Sequence, residues 1–183
     1  MILSTKNFEI SGVKLFSLKS YEDNRGVFSE VYQAKLDHPE FKIEYVQENE
    51  SISNYGILRG MHLQKDNHSQ SKLIRVVKGK VIDVVCDLRK SSPSFKKNIF
   101  IEINPNQLLF LPKGLAHGFL SLEEGTVLNY KCDNYYNQSS ESGFNLFKSK
   151  IEIDFPIESD DIIISYKDKS LPGLDNSYIY ENL

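Results

Sequence analysis

The sequence predicts an all-β fold, a sandwich or barrel built from many short strands. Three observations predict it. Short runs dense in β-branched and aromatic residues recur from Val13 to Tyr136. Turn residues separate them, as in "KG" at 78–79, "NPN" at 104–106, "PKG" at 112–114 and "EEG" at 123–125. No helices alternate with these runs, so the spacing fits a sandwich or barrel and not βαβ units.

The expected strands follow in order. "VKLFSL" (13–18), "GVFSEVY" (26–32), "FKIEYVQEN" (41–49) and "GILRGMHLQ" (56–64) come first. "SKLIRVV" (71–77) and "KVIDVVCDL" (80–88) flank the "KG" turn. "NIFIEI" (98–103) and "QLLFLP" (107–112) flank "NPN". "HGFLSL" (117–122) and "TVLNYKCDNYY" (126–136) flank "EEG". One helical candidate interrupts the series, "YQAKLDHPEF" (32–41), which is short and contains Pro39. Beyond Phe155 and Pro156 the tail turns charged and turn-rich, with room for a short helix or two. No repeat, linker or low-complexity tract divides the chain, which reads as a single domain over 1–183.

Bulk properties exclude several classes. The 183 residues suffice for one domain with a sizeable core, and 40% hydrophobic content is ordinary for a globular protein. Net charge is −3, with 22 basic and 25 acidic residues interspersed. That balance argues against a nucleic-acid binder, yet leaves room for a local basic pocket and an anionic ligand. "MILSTKNFEISGVKLF" lacks a charged head followed by a long apolar run, so no signal peptide is expected. No apolar segment approaches the roughly 20 residues of a membrane span. Cys86 and Cys132 both lie in apolar runs and read as buried thiols of a reducing compartment. A cytoplasmic location is the expectation.

One stretch carries the chemistry: "GILRGMHLQKDNHSQSKLIRVVKG" (56–79) places Arg59, His62 and Lys72 among apolar residues. Buried charge is costly unless paired or used. Of the four histidines, His38 and His68 sit in polar, loop-like contexts and read as solvated, while His62 and His117 sit in strand runs. A lone strand histidine is more often a satisfied core residue than a functional one. Two of them on separate strands are similar to the cupin arrangement, where such positions often ligate a metal. A transition metal needs three or four ligands. Gln64 stands where the cupin pattern has a second histidine, and "SQSK" (69–72) supplies no carboxylate. No metal is expected, and His62 is left free to move protons.

Imidazole titrates near neutrality and suits a general base. Lys72 is a cation able to stabilise an anion. Tyr130 is a phenol able to return a proton, although it is one of 10 tyrosines and could equally lie at a rim. Base, cation and acid together serve proton abstraction beside a carbonyl, with no metal or redox cofactor. Strand alternation puts Leu128, Tyr130 and Cys132 on one face, and Lys72, Ile74 and Val76 on one face. Arg59 and His62 are three apart, so a regular strand would oppose them. For both to face one pocket the strand needs a bulge, and Gly60 is positioned to supply it.

Taken together these stretches resemble the dTDP-4-dehydrorhamnose 3,5-epimerase family, metal-free cupin-like enzymes. The resemblance runs from about Tyr21 to Pro172. It is carried by "DNRGVFSE" (23–30), "VQENESIS" (46–53), "GILRGMHLQ" (56–64), "SQSKLIRVVKGKVIDVVCDLRKSSPSF" (69–95), "LFLPKGLAHGFLSL" (109–122), "YKCDNYYNQSSESGF" (130–144) and "SYKDKSLPGL" (165–174). It implies a cupin-like jelly roll with a few short peripheral helices, and no cofactor. His62 then matches the base, Tyr130 the acid on the other face of the sugar, Asp168 the carboxylate that orients His62, and Lys72 a residue near the 4-keto oxygen. Arg25, Glu30, Gln47, Asn49, Arg59, His117, Glu141 and Lys167 match positions around the nucleotide-sugar. Guanidinium groups at Arg25 and Arg59 suit a diphosphate. Phe28 has two readings, a face for thymine or a core side chain, and Asp83 is a possible partner of His117.

The implied substrate is a dTDP-linked 4-keto-6-deoxyhexose, inverted at C3 and C5. The implied assembly is a homodimer with exchanged N-terminal strands, in which the residue matching Arg25 reaches the neighbouring site. The alternatives are a 3- or 5-epimerase acting at one centre and a non-catalytic sugar-nucleotide-binding cupin. Three departures from the family pattern stand out: Leu63 in place of an aromatic, Phe155 in place of Trp, and "KSK" (148–150) in place of an acidic "DP".

Overall fold

The strand-forming runs close into two sheets laid face to face. The computed structural model describes residues 2–34, 38–181 and 183. Its strands are β1 (Ile2–Asn7), β2 (Lys14–Leu18), β3 (Ser20–Asp23), β4 (Gly26–Ser29), β5 (Gln47–Ser53), β6 (Ile57–Gln64), β7 (Lys72–Lys78), β8 (Val81–Asp87), β9 (Asn98–Ile103), β10 (Gln107–Leu111), β11 (Leu115–Ser121), β12 (Thr126–Cys132), β13 (Glu141–Gly143) and β14 (Ile163–Ile164). One sheet has the order β1-β2-β10-β7-β12-β5. The other has the order β13-β6-β11-β8-β9, with β14 added in parallel at β6. β3 and β4 form a separate hairpin. This is the jelly roll of a cupin-like, all-β protein.

Alternation divides the apolar residues into three layers. Leu15, Ile74, Val76 and Leu128 of the first sheet meet Val81, Val85, Ile101 and Phe119 of the second, forming the core between them. Phe16, Leu73 and Phe110 face outward from the first sheet and are covered by Phe41 and Tyr45. Val84, Cys86 and Leu120 face outward from the second sheet, under Ile153, Phe155 and Tyr180 of the tail. The tail holds one short helix, α1 (Tyr166–Ser170). Among the described residues no helix is long and apolar enough to cross a membrane.

Most expected strands lie where their patterns put them, and the differences have physical reasons. The run 41–49 is a strand only from Gln47, because Phe41 closes a 3-10 turn (Pro39–Phe41) and Ile43 and Tyr45 serve as cover for the first sheet. The helix expected over 32–41 falls partly on residues 35–37, outside the described residues; the rest shows only that turn. β1 escaped notice because five of its six residues are exposed and carry no apolar alternation. β13 and β14 are too short to show a period. His38 is not solvated: its ring packs edge-on against Phe16 at 4.8 Å and pairs with Glu40.

The bulge at Gly60 is present. Across β11, His117 pairs with His62 while Phe119 pairs with Arg59, so β6 carries one extra residue. Gly60 takes φ 122°, a conformation that side chains avoid. A Cβ there would lie 2.6 Å from Gly118 Cα and 2.9 Å from the His117 carbonyl oxygen. We therefore expect Gly60→Ala to destabilise the protein by about 2 kcal/mol or more. Urea unfolding reads this out, and an unchanged midpoint would refute the strain.

Asp87 is buried at the end of β8, where Arg89 donates to it through Nε at 2.9 Å and Nη2 at 2.8 Å. Ser92 and Ser94 hydroxyls each donate at 2.7 Å. Burial pushes the carboxyl up, but the bonds from Arg89, Ser92 and Ser94 outweigh it and hold it below 3.8. A depressed carboxyl contributes stability above its unfolded value, and that stability is lost as pH falls through the folded value. Asp87→Asn is accordingly expected to cost roughly 3 kcal/mol at pH 7. The gap from wild type should narrow below pH 3.8. A pH-independent gap would contradict the assignment.

Candidate active site

Each wall of the site comes from a different sheet. Arg59 and His62 of β6 and His117 and Phe119 of β11 line one side of a cavity of about 500 Å³. Lys72 of β7 and Tyr130 of β12 line the other. A second lobe of about 320 Å³ continues past His62, Lys72 and Tyr130 to Gln47, Asn49, Tyr136, Glu141 and Lys167.

His62 is oriented from outside its own sheet. β14 pairs with Ile57 and Leu58 of β6, and β13 pairs with His62 to Gln64. Between these two partners the bulged edge of β6 is open at Gly60. α1 follows β14 directly, and its Asp168 reaches into the opening. Asp168 Oδ1 lies 2.6 Å from His62 Nε2, and Oδ2 accepts from the Gly60 amide at 3.2 Å. Burial pushes the Asp168 carboxyl up, but His62, the Gly60 amide and Ser165 hold it below its ordinary value of 3.8. An ionised carboxylate at this distance keeps the proton on Nε2 and leaves Nδ1 as the basic nitrogen.

A second pair lies behind the first. His117 Nε2 is 2.7 Å from Asp83 Oδ2, and both residues are buried. Burial pushes the Asp83 carboxyl up and the His117 imidazole down. Asp83 was the less obvious partner in the sequence, and the register explains it: Phe119 pairs with Asp83 across β8 and β11, putting His117 two residues along the same face.

Lys72 and Tyr130 face the cavity as their alternation requires. The Lys72 ammonium is 5.6 Å from the Tyr130 ring centroid and has no ion-pair partner among the described residues. Burial pulls it below its ordinary 10.5, and burial lifts the Tyr130 phenol above 10. The phenol is therefore protonated at neutral pH and able to donate. Arg59 is exposed at the mouth, where it donates to Ser53 Oγ at 3.1 Å and to the Ile52 carbonyl at 3.3 Å. With no carboxylate on it among the described residues, its charge is available to an anion.

The second lobe gathers the polar candidates. Gln47 donates to Asn49 Oδ1 at 3.0 Å and accepts from the Tyr136 amide at 2.8 Å. Glu141 pairs with Lys167 and accepts from the Tyr136 hydroxyl at 2.6 Å. Tyr136 is a lining residue that sequence reasoning passed over. It lies beyond the end of β12, where alternation gives no facing, although it stands inside the matched "YKCDNYYNQSSESGF" stretch.

Three expected site residues do not join the cavity of their own chain. Arg25, Phe28 and Glu30 belong to the β3–β4 hairpin and its exit, and all are exposed. Arg25 forks onto Asp23 of the same hairpin, with Nη2 to Oδ2 at 2.6 Å. Phe28 is 68% exposed, which removes the core reading within one chain.

Comparison with known proteins places this geometry. The family described as dTDP-4-dehydrorhamnose 3,5-epimerase matches residues 7–176. The chain is 36% identical over 175 residues to the dTDP-4-dehydrorhamnose 3,5-epimerase of Methanothermobacter thermautotrophicus, covering 93% of this chain and 94% of that one. It is 37% identical over 171 residues to the enzyme of that name from Escherichia coli K12, covering 91% and 92%. The crystal structure of dTDP-6-deoxy-D-glucose-3,5-epimerase from Legionella pneumophila Philadelphia 1 with dTDP-4-keto-L-rhamnose superposes with a TM-score of 0.90 at 32% identity, covering 98% of each chain. With the fold, the paired His62 and Asp168 and this match along nearly its whole length, the chain belongs to the dTDP-4-dehydrorhamnose 3,5-epimerase family.

Proposed function

We propose that the protein epimerises a dTDP-linked 4-keto-6-deoxyhexose, converting dTDP-4-dehydro-6-deoxy-D-glucose to dTDP-4-dehydro-L-rhamnose. One observation carries the reading: a base and a proton donor stand on opposite walls of one cavity, with a cation beside the donor. His62 Nδ1 takes a proton from a carbon next to the ketone. The electron pair moves through the new carbon–carbon double bond onto the 4-oxygen, and Lys72 stabilises that charge. Tyr130 returns a proton to the carbon from the other side, which inverts it. Once His62 has passed its proton to solvent and Tyr130 has regained one from it, the same cycle at the second carbon completes the inversion of C3 and C5. Asp168 keeps His62 in the tautomer that can accept. Arg59, with Arg25 of a second copy, suits the diphosphate, and Gln47, Asn49, His117, Glu141 and Lys167 surround the nucleotide-sugar.

The reading includes a homodimer with exchanged N-terminal strands. Its support is the β3–β4 hairpin, which leaves Tyr21, Val27 and Phe28 exposed and carries Arg25 away from its own cavity. A second copy accepting the hairpin would bury those side chains and bring Arg25, Phe28 and Glu30 to a site. Free thiols at Cys86 and Cys132 and a nucleotide-sugar substrate fit the cytoplasm.

Incubation with dTDP-4-dehydro-6-deoxy-D-glucose in deuterated water should place deuterium at both C3 and C5. His62→Ala should slow exchange by about 10² to 10⁴. Exchange at one carbon would mark a single-centre epimerase, and tight dTDP binding without any exchange would mark a binding protein. Undiminished exchange in His62→Ala would remove the proposed base.

A further inference from the structure

The carboxylate behind His62 rides on a helix of five residues, far too short to persist in water by itself. Something must fix α1 against β6, since the 2.6 Å contact depends on it. Its N-terminal end is held by Ser165, whose Oγ accepts from the Asp168 amide at 3.0 Å. Its C-terminal end is held by residues from another part of the chain. Asn145 Nδ2 donates to the Asp168 carbonyl at 3.1 Å and to the Lys169 carbonyl at 3.4 Å. Lys148 Nζ donates to the Lys169 carbonyl at 2.7 Å and the Leu171 carbonyl at 3.0 Å.

We propose that Asn145, assisted by Lys148, is a positioning residue for the His62–Asp168 pair. Its catalytic consequence rests on the epimerase reading above. Asn145 joins the two elements that the pair spans. On one side its backbone continues from β13, where Gly143 pairs with His62. The next residue, Phe144, exchanges two hydrogen bonds of 3.1 Å with Met61. On the other side, its side chain grips α1 at the residue that carries the carboxylate. The Asn145 amide also donates to the Pro172 carbonyl at 2.7 Å, just beyond the helix.

The Asn145 side chain is itself fixed. Oδ1 accepts from the amides of Phe147 at 2.8 Å and Lys148 at 3.2 Å, and the residue is 6% exposed. All four of its side-chain contacts are to backbone, so it has no freedom to follow α1 if the helix shifts. Neither Asn145 nor Lys148 lines the cavity. Their influence on the reaction therefore passes through Asp168. Lys148 also places a cation at the C-terminal end of α1, where the last carbonyls of a helix favour positive charge.

The test reads the pair directly in substrate-free protein. Histidine ring 15N shifts distinguish the two neutral tautomers, and His62 is identified among four histidines by loss of its signals in His62→Ala. In wild type His62 should hold its proton on Nε2. Asn145→Ala should give a mixture of tautomers and lower kcat by about 10- to 100-fold, with KM within about threefold. In an Asp168→Asn background the same change should cost less than about twofold, because its route is already cut. If Asn145→Ala does not fold, Lys148→Met carries the test from the surface. It should lower kcat by about two- to fivefold with a partial tautomer shift, and Lys148→Arg should restore both. Wild-type 15N shifts in a folded Asn145→Ala or in Lys148→Met, or equal losses in both backgrounds, overturn the proposal. Absence of solvent exchange in wild type would sink the epimerase reading alone, since the tautomer result still decides the positioning role.

Discussion

The site depends on one contact, the Asp168 carboxylate against the His62 imidazole. It is made possible by a defect in a strand. A regular β6 would continue its ladder along the whole edge and would turn Arg59 and His62 to opposite faces. The extra residue at Gly60 brings both to the cavity and leaves a free amide, which Asp168 occupies with its second oxygen. The bulge thus does two things at once. It turns His62 to the cavity, and it makes the landing place for the carboxylate that holds the His62 ring.

Electrostatics follow from where the two sheets part. Lys72 and Tyr130 share their strands with the core, one position from Leu73 and two from Leu128. Burial shifts both groups, the ammonium down and the phenol up, which keeps the phenol protonated at neutral pH. His62 sits across the gap with its carboxylate behind it. The facing sheets thus hold an imidazole and a phenol on opposite walls of one cavity. Of the charges at the rim, Lys167 is paired with Glu141, while Arg59 carries no carboxylate among the described residues.

Much of this was legible in the residues. Alternation in "SKLIRVV" and "TVLNYKC" gave the facing of Lys72 and Tyr130 correctly, because both strands have one face in the core and the period of two admits no other arrangement. If Arg59 and His62 were to face one pocket, their spacing required a bulge, and Gly60 between them was the residue able to take the backbone required. Where the signal was weak, the pattern had no core to report. β1 is exposed on both faces, β13 and β14 are a few residues long, and the 41–49 run is apolar because it covers a sheet, a role that looks like a strand in one dimension.

What the sequence determined by itself is the all-β class and the faces that Lys72 and Tyr130 share with apolar neighbours, since both follow from local period; the bulge followed only on the condition that Arg59 and His62 meet one pocket. What only the tertiary structure decided is the geometry by which distant groups meet, since local period did not pair them and the family resemblance only implied Asp168 and Asp83 as partners. Asp168 lies 106 residues from His62 and Asp83 lies 34 from His117. Asn145 meets Asp168 through a hydrogen bond between a side chain and a carbonyl. The contacts of Asp168 leave no periodic trace, because they are set by how a short helix and two strand fragments settle on one open edge, whereas the Asp83–His117 pair follows from the register of β8 and β11.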